Sequence, residues 1–293
     1  GAIDLGNHRF HCWKRGGHGT LDMVGALRES CDVYFYDLAR RVGIDGIAAM
    51  ARRLGIGATT GLDMPGERNG LMPDRLWKEA THHENWQPGD TLNVSIGQGD
   101  VQTTPLQLAV MLARIVNGGY EVVPHLTREI EGVAEENTTM RDLGFDRANL
   151  AVIAAGMNAV VNDRRGTGFT SRIETEGQQM GGKTGTSQVR RISMAERASG
   201  VVRNEDRPWL YRDHALFIGY APVQDPRYVV AVMVEHGGGG SKAAAPIARG
   251  IPIEGQRPNP SVARTTPPPA AKFVPPVPGA IPAAAPADPD ESD

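Results

Sequence analysis

The chain has 293 residues, 40% of them apolar and 22% charged, and Lys+Arg 31 against Asp+Glu 34 leaves a net charge of −3. Such a composition can bury a core. The near-neutral balance excludes the broad basic field that would favour nucleic acid and the acidic excess of a solvating tail. The longest aliphatic runs, such as 229–234, are far too short to cross a bilayer. No signal peptide is visible, and because the first residue is Gly1 the chain is expected to begin within a longer protein or after processing.

Taken in chain order, 21–42 carries apolar residues at helical spacing and ends at Gly43, with small polar residues near Ser30 that predict a break. A second helix is predicted over 45–54, closed by Gly55. The stretch 67–89 is polar, contains Pro73 and Pro88, and reads as loop. The clearest helix is 104–116, with Thr104 as N-cap, Pro105 at the first helical position and Asn117-Gly118-Gly119 as its stop. Another helix, rich in Ala, Val and Met, is predicted over 146–161. Extended signals follow at 180–189, 215–220 and 228–235, and Asp225-Pro226 predicts a hairpin turn between the last two. Helices first and an antiparallel sheet afterwards is an α+β order and contradicts alternating βαβ units. Eleven of the 21 prolines fall in 257–293, mixed with alanine, so the folded domain is placed at 1–255 and 256–293 is read as a disordered Pro/Ala-rich tail.

Lys183 admits two readings. Residues 177–184 (GQQMGGKT) match the phosphate-loop pattern G-x-x-x-x-G-K-[ST]. That pattern needs a buried strand before it and a helix after it. Here 170–176 is too polar for the strand, and 185–189 has poor helix propensity. The rival reading takes Lys183-Thr184-Gly185-Thr186 as a K-T-G strand bordering an active-site cleft. In that setting a strand edge pairs with an extended substrate. Ser30-Cys31-Asp32 then reads as the companion S-x-N motif with Asp in place of Asn. Taken alone, it reads more readily as an ordinary polar helix face than as a motif.

Ser30-Cys31-Asp32-Val33-Tyr34-Phe35-Tyr36, TGLDMPGER at 60–68, NVSIGQG at 93–99, TTPLQ at 103–107, KTGT at 183–186, WLYRDHALFIGYAP at 209–222 and GGGGSK at 237–242 occur in this order. The set resembles the transpeptidase domain of the penicillin-binding protein 2 family, class B and elongation-type, over about 1–250. The resemblance implies the penicillin-binding and serine β-lactamase-like transpeptidase fold, α+β with helices on both sides of an antiparallel sheet, here truncated at its N-terminus. It implies acyl transfer between peptidoglycan stem peptides ending in D-Ala-D-Ala, with β-lactams as ligands and no cofactor required. Ser30 would relay a proton, Asp32 and Cys31 would border the substrate, and Lys183 with Thr184 and Thr186 would bind its carboxylate. Gly185 would let the substrate backbone approach, and the Thr186 N–H would donate to the oxyanion. The expected setting is the periplasmic face of the inner membrane, with a membrane glycosyltransferase as partner and no nucleic acid.

The family's S-x-x-K motif, which holds the nucleophile, has no counterpart, since no serine here has lysine three residues on. It is expected to precede Gly1. The family's last helix should run from about Lys242, where Pro246, Pro252 and Gly255 predict interruption. A non-catalytic β-lactam sensor and a β-lactamase are the alternative readings of the same motifs. Cys12, His18 and Cys31 form C-x5-H-x12-C, a donor set suited to a structural zinc, with Asp4 or a residue before Gly1 as fourth ligand. Some members of the family carry zinc near this motif. Otherwise the two cysteines would form one bridge or stay free thiols.

Overall fold

The computed structural model describes residues 1–127, 129–130, 133–134, 140–190, 196 and 199–256. Beyond Gln256 the predicted tail lies outside the described residues. Their architecture is α+β, as the element order predicted. The chain opens on a feature the sequence reading left unassigned, an antiparallel hairpin of β1 (Ala2–Leu5) and β2 (His8–His11). Helix α1 (Met23–Glu29) starts where the Asp22 carboxylate accepts the Gly25 N–H at 2.7 Å. It stops at Ser30, whose left-handed backbone (φ 53°, ψ 55°) breaks the predicted 21–42 helix. Helix α2 (Asp32–Arg53) then runs through both remaining predicted segments, with Gly43 (φ 74°) as a kink between them.

The loop predicted at 67–89 is a correction. It contains α3 (Arg75–His82), whose N-cap Asp74 accepts the Trp77 N–H at 2.8 Å, and the start of α4 (Pro88–Ser95). The two prolines that suggested loop stand just before an N-cap and at the first position of a helix, where a missing N–H costs nothing. The Asp90 carboxylate adds an acceptor for the Gln87 N–H at 2.9 Å. Helix α5 (Pro105–Val116) forms as predicted, with reciprocal capping between Thr104 and Gln107. A short hairpin of β3 (Glu129–Ile130) and β4 (Val133–Ala134) precedes α6 (Arg147–Asn162).

Strands β5 (Gly181–Ser187), β6 (His214–Ala221) and β7 (Tyr228–Val234) form an antiparallel sheet in the order β5-β6-β7. Side chains alternate across it. Ala215, Phe217 and Ala221 of β6 join Val160 and Val161 of α6 and Ala244, Ala245 and Ala248 in one cluster. Tyr220 and Ile218 join Leu112, Ile115 and Val116 of α5 and Met157 of α6 in another. Helices therefore cover both faces. The last helix is a second correction: α7 (Ala244–Gly255) runs unbroken through both prolines. Pro246 lies in its first turn, where the N–H has no intrahelical partner in any case. Pro252 is fully buried, so packing against β6 and β7 offsets the lost hydrogen bond.

Candidate functional site

The register of β5 decides between the two readings of Lys183. Strand β5 pairs antiparallel with β6, placing Lys183 opposite Ile218, Gly185 opposite Leu216 and Thr186 opposite Ala215. Among the described residues no helix follows it directly, so the phosphate-loop context fails. Among the described residues β5 is an edge strand, and an edge strand is where an extended ligand can pair.

Lys183 reaches out of this strand to a residue 153 positions earlier. Its Nζ donates to Ser30 Oγ at 2.8 Å and to the Thr184 carbonyl at 2.9 Å. Burial lowers its pKa to about 8, only partly opposed by the charge of Asp32. Thr184 Oγ1 lies 2.8 Å from Thr167 Oγ1. Adjacent residues of β5 thus hold two polar pairs, a cation with the Ser30 hydroxyl and the Thr184 hydroxyl with that of Thr167. Thr167 was not singled out from the sequence. It is a lone threonine in a polar loop, and no spacing signal marks it.

Close helix packing brings Ser30 to this strand. Leu27 of α1 nests against Gly156 of α6, where a Cβ would fall 2.5 Å from Leu27 Cδ1. At the end of α1, Arg28 pairs with Asp163 at 3.1 Å and Glu29 at 2.7 Å, and its carbonyl accepts the Thr167 N–H at 3.2 Å. Helix α6 also packs on β5, so it fixes the turn and the strand together. The left-handed conformation of Ser30 is costly for a residue with a Cβ, about 1–2 kcal/mol. It aims the hydroxyl at Lys183 and sends the next residue the other way.

That next residue, Cys31, is buried with Cys12 and Ala26. Both cysteines are free thiols. The candidate ligand atoms of Cys12, His18 and Cys31 lie within 4.8 Å of one another, as the C-x5-H-x12-C spacing predicted. His18 Nδ1 is 3.5 Å from Cys12 Sγ, and its Nε2 is buried without a hydrogen-bond partner. Two soft thiols and an imidazole with an orphaned nitrogen fit zinc. Burial pushes the Cys31 thiol up and the His18 imidazole down, favouring the neutral, metal-ready imidazole. Asp4 is not part of the cluster. It stands exposed on β1, held by Arg9 at 2.9 Å across the hairpin, and this corrects its assignment as fourth ligand. Asp32 begins α2 and accepts the Trp13 N–H at 2.9 Å, tying the hairpin's exit to the Ser30 turn. Burial raises its pKa despite that bond.

Several of the other motif segments prove architectural. Glu67 accepts the Thr60 and Gly61 N–H groups and the Thr60 hydroxyl, closing the 60–68 turn. Gln107 is fully buried and donates to the Ala58 and Asn69 carbonyls at 2.6 and 2.7 Å. The 93–99 segment instead sends Gln98 to β5: its Nε2 donates to the Thr186 carbonyl at 2.9 Å and its Oε1 accepts the Gln188 N–H at 3.3 Å. Sequence reading noted this segment but gave Gln98 no role.

The model of the penicillin binding protein transpeptidase domain matches residues 3–252. Peptidoglycan D,D-transpeptidase MrdA of Acinetobacter baumannii is 38% identical over 251 residues, covering 82% of this chain and 36% of that protein. The crystal structure of Pseudomonas aeruginosa PBP2 in complex with WCK 5153 is similar at TM-score 0.71 and 39% identity, over 85% of this chain and 51% of that one. The complex between PBP2 and MreC from Helicobacter pylori is similar at TM-score 0.74 and 32% identity, over 86% and 43%. The chain spans little more than a third of the length of the curated relative and about half or less of the solved chains.

Proposed function

Because the chain belongs to the penicillin-binding protein transpeptidase domain family, we propose that it is the C-terminal part of the catalytic domain of a peptidoglycan D,D-transpeptidase that also binds β-lactams. The observation that carries the reading is the 2.8 Å contact between Lys183 Nζ and Ser30 Oγ beside the edge strand β5. It unites the K-T-G strand with the S-x-D turn, the two family motifs present in this chain.

In this reading a serine of an S-x-x-K motif elsewhere in the protein attacks the D-Ala-D-Ala carbonyl. The terminal D-Ala leaves, and an amine of a neighbouring stem peptide takes the acyl group. Lys183, with the Thr184 and Thr186 hydroxyls, holds the substrate's terminal carboxylate. The Ser30 hydroxyl, already in contact with Lys183, passes the proton toward the leaving nitrogen. Within a strand the N–H and C=O of one residue point to the same side. The Thr186 carbonyl is reached by Gln98, so the Thr186 N–H lies on the same edge and supports its reading as an oxyanion donor. Such a donor is worth about 2.7–4 kcal/mol of barrier lowering.

Zinc held by Cys12, His18 and Cys31, with no fourth ligand grouped with them among the described residues, would be structural and would brace the Ser30 turn from behind. The proposed setting is the periplasmic face of the inner membrane, reached by an anchor outside this chain. The proposed partners are a membrane glycosyltransferase and, by likeness to the Helicobacter pylori complex, an MreC-type protein. Among the described residues no helix is long and apolar enough to cross a membrane.

Fluorescent penicillin, followed by a denaturing gel and mass analysis, tests the reading. The protein carrying the S-x-x-K segment should form a stable adduct on that serine. The 293 residues alone should form none. An adduct on Ser30, or none on the longer protein, would overturn the assigned roles.

A further inference from the structure

The outward edge of β5 is not bare. Gln98 stands between Gly97 (φ 71°) and Gly99 (φ 75°), a left-handed pair of turns that carries its side chain to the strand. One carboxamide then does what the peptide group of a neighbouring strand would do. It gives a donor to the Thr186 carbonyl at 2.9 Å and an acceptor to the Gln188 N–H at 3.3 Å. Both bonds lie in exposed positions and join segments 88 and 90 residues apart.

We propose that Gln98 is a displaceable cover of the ligand-pairing edge of β5. It holds the Thr186 carbonyl until a ligand's own amide N–H takes that acceptor, and it thereby imposes its displacement cost selectively on ligands that bring such an amide. The inference rests on the transpeptidase reading above, because only an extended acyl-peptide or a mimic of one needs this edge. Thr186 is exposed, so an incoming amide N–H can reach it once the side chain swings aside. A ligand that brings an amide N–H must displace Gln98 from the Thr186 carbonyl to pair there, whereas a ligand without one leaves both Gln98 bonds in place. Gln98 is therefore a positioning residue rather than a catalytic one.

The test uses the full-length protein with its S-x-x-K segment and two probes: a penicillin with an acylamino side chain, and a carbapenem, which lacks that amide. Acylation efficiency is measured for wild type, Gln98→Ala, Gln98→Asn and Gln98→Glu, with melting temperatures to show that each is folded. Gln98→Ala, and Gln98→Asn, which is too short to bridge both groups, should raise efficiency with the acylamino penicillin about three- to tenfold and leave the carbapenem within about twofold. Gln98→Glu cannot donate to the Thr186 carbonyl and should show the same preference while still accepting from Gln188. An equal change with both probes, or a selective loss with the acylamino penicillin, would overturn the proposal while leaving the transpeptidase reading intact. A wild-type protein that neither probe acylates would overturn that reading and this inference with it.

Discussion

The two sides of the Ser30-Cys31-Asp32 turn are built on opposite principles. On one side Ser30 meets Lys183 across 153 residues of sequence, in a half-buried polar contact whose geometry depends on strand register and on how α1 lies against α6. On the other, Cys31 meets Cys12 and His18 in a buried pocket assembled within 20 residues. The first is precise because three elements lock it from a distance, the second because a short loop and a helix start leave little freedom. A change on one side should therefore be separable from a change on the other.

The sharpest separation is expected from Lys183→Ala in the full-length protein. Truncating a buried charged partner should lower penicillin acylation by about 10²–10³-fold. Zinc content, measured by elemental analysis, should stay unchanged. Cys12→Ser should do the reverse: the metal should be lost, and with it the stabilisation that zinc gives when present at a thousandfold above its Kd, about 4 kcal/mol. The 2.8 Å Ser30–Lys183 contact should weaken only secondarily. Metal-free protein of unchanged stability, isolated without chelator, would refute zinc on that side.

Gly156→Ala attacks the first side through its scaffold. The added methyl meets Leu27 at 2.5 Å, and overpacking of this kind costs about 1–3 kcal/mol. Acylation should fall with stability while the zinc remains, which a thermal melt and elemental analysis read together. The pH dependence is subtler. Lys183 is lowered by burial from 10.5 to about 8, so between those values the unfolded chain binds more protons and stability rises with pH. The charge that holds a carboxylate behaves oppositely: it is complete well below about 8 and falls about tenfold per unit above it. Carboxylate-bearing ligands should lose affinity in that upper range, and Lys183→Arg should flatten the profile. The smallest effect is local. Ser30→Gly should be about 1 kcal/mol more stable than Ser30→Ala, because glycine adopts φ 53° without strain. Both should lose the relay equally in acylation kinetics, and equal melts would show that the turn is not strained.

Much of the site was legible in advance because its residues obey short-range rules. Lys183-Thr184-Gly185-Thr186 lies in an extended run, and β5 is a strand with its lysine at the edge. Cys12, His18 and Cys31 are close enough in sequence for their spacing to imply a cluster. Thr104-Pro105 marks a helix start through the chemistry of one cap. Errors arose where a local breaker was outvoted. Pro88 belongs to a helix as its first residue, and Pro252 survives inside α7 because the sheet packs on it. Asp4 looked like a ligand in sequence, but its partner is Arg9 across the hairpin.

Local pattern is enough for the α+β order, for the extended run around Lys183 and for the chemical types of the clustered groups (a cation, hydroxyls, thiols and an imidazole), since periodicity, turn chemistry and side-chain type are local properties. Tertiary structure alone decided that Thr167 stands beside Thr184, that Gln98 bridges Thr186 and Gln188, and that Arg28 ties α1 to α6. Those contacts join segments 17 to 135 residues apart. No local preference encodes them; they follow from the one packing of helices on the sheet that buries both apolar faces together.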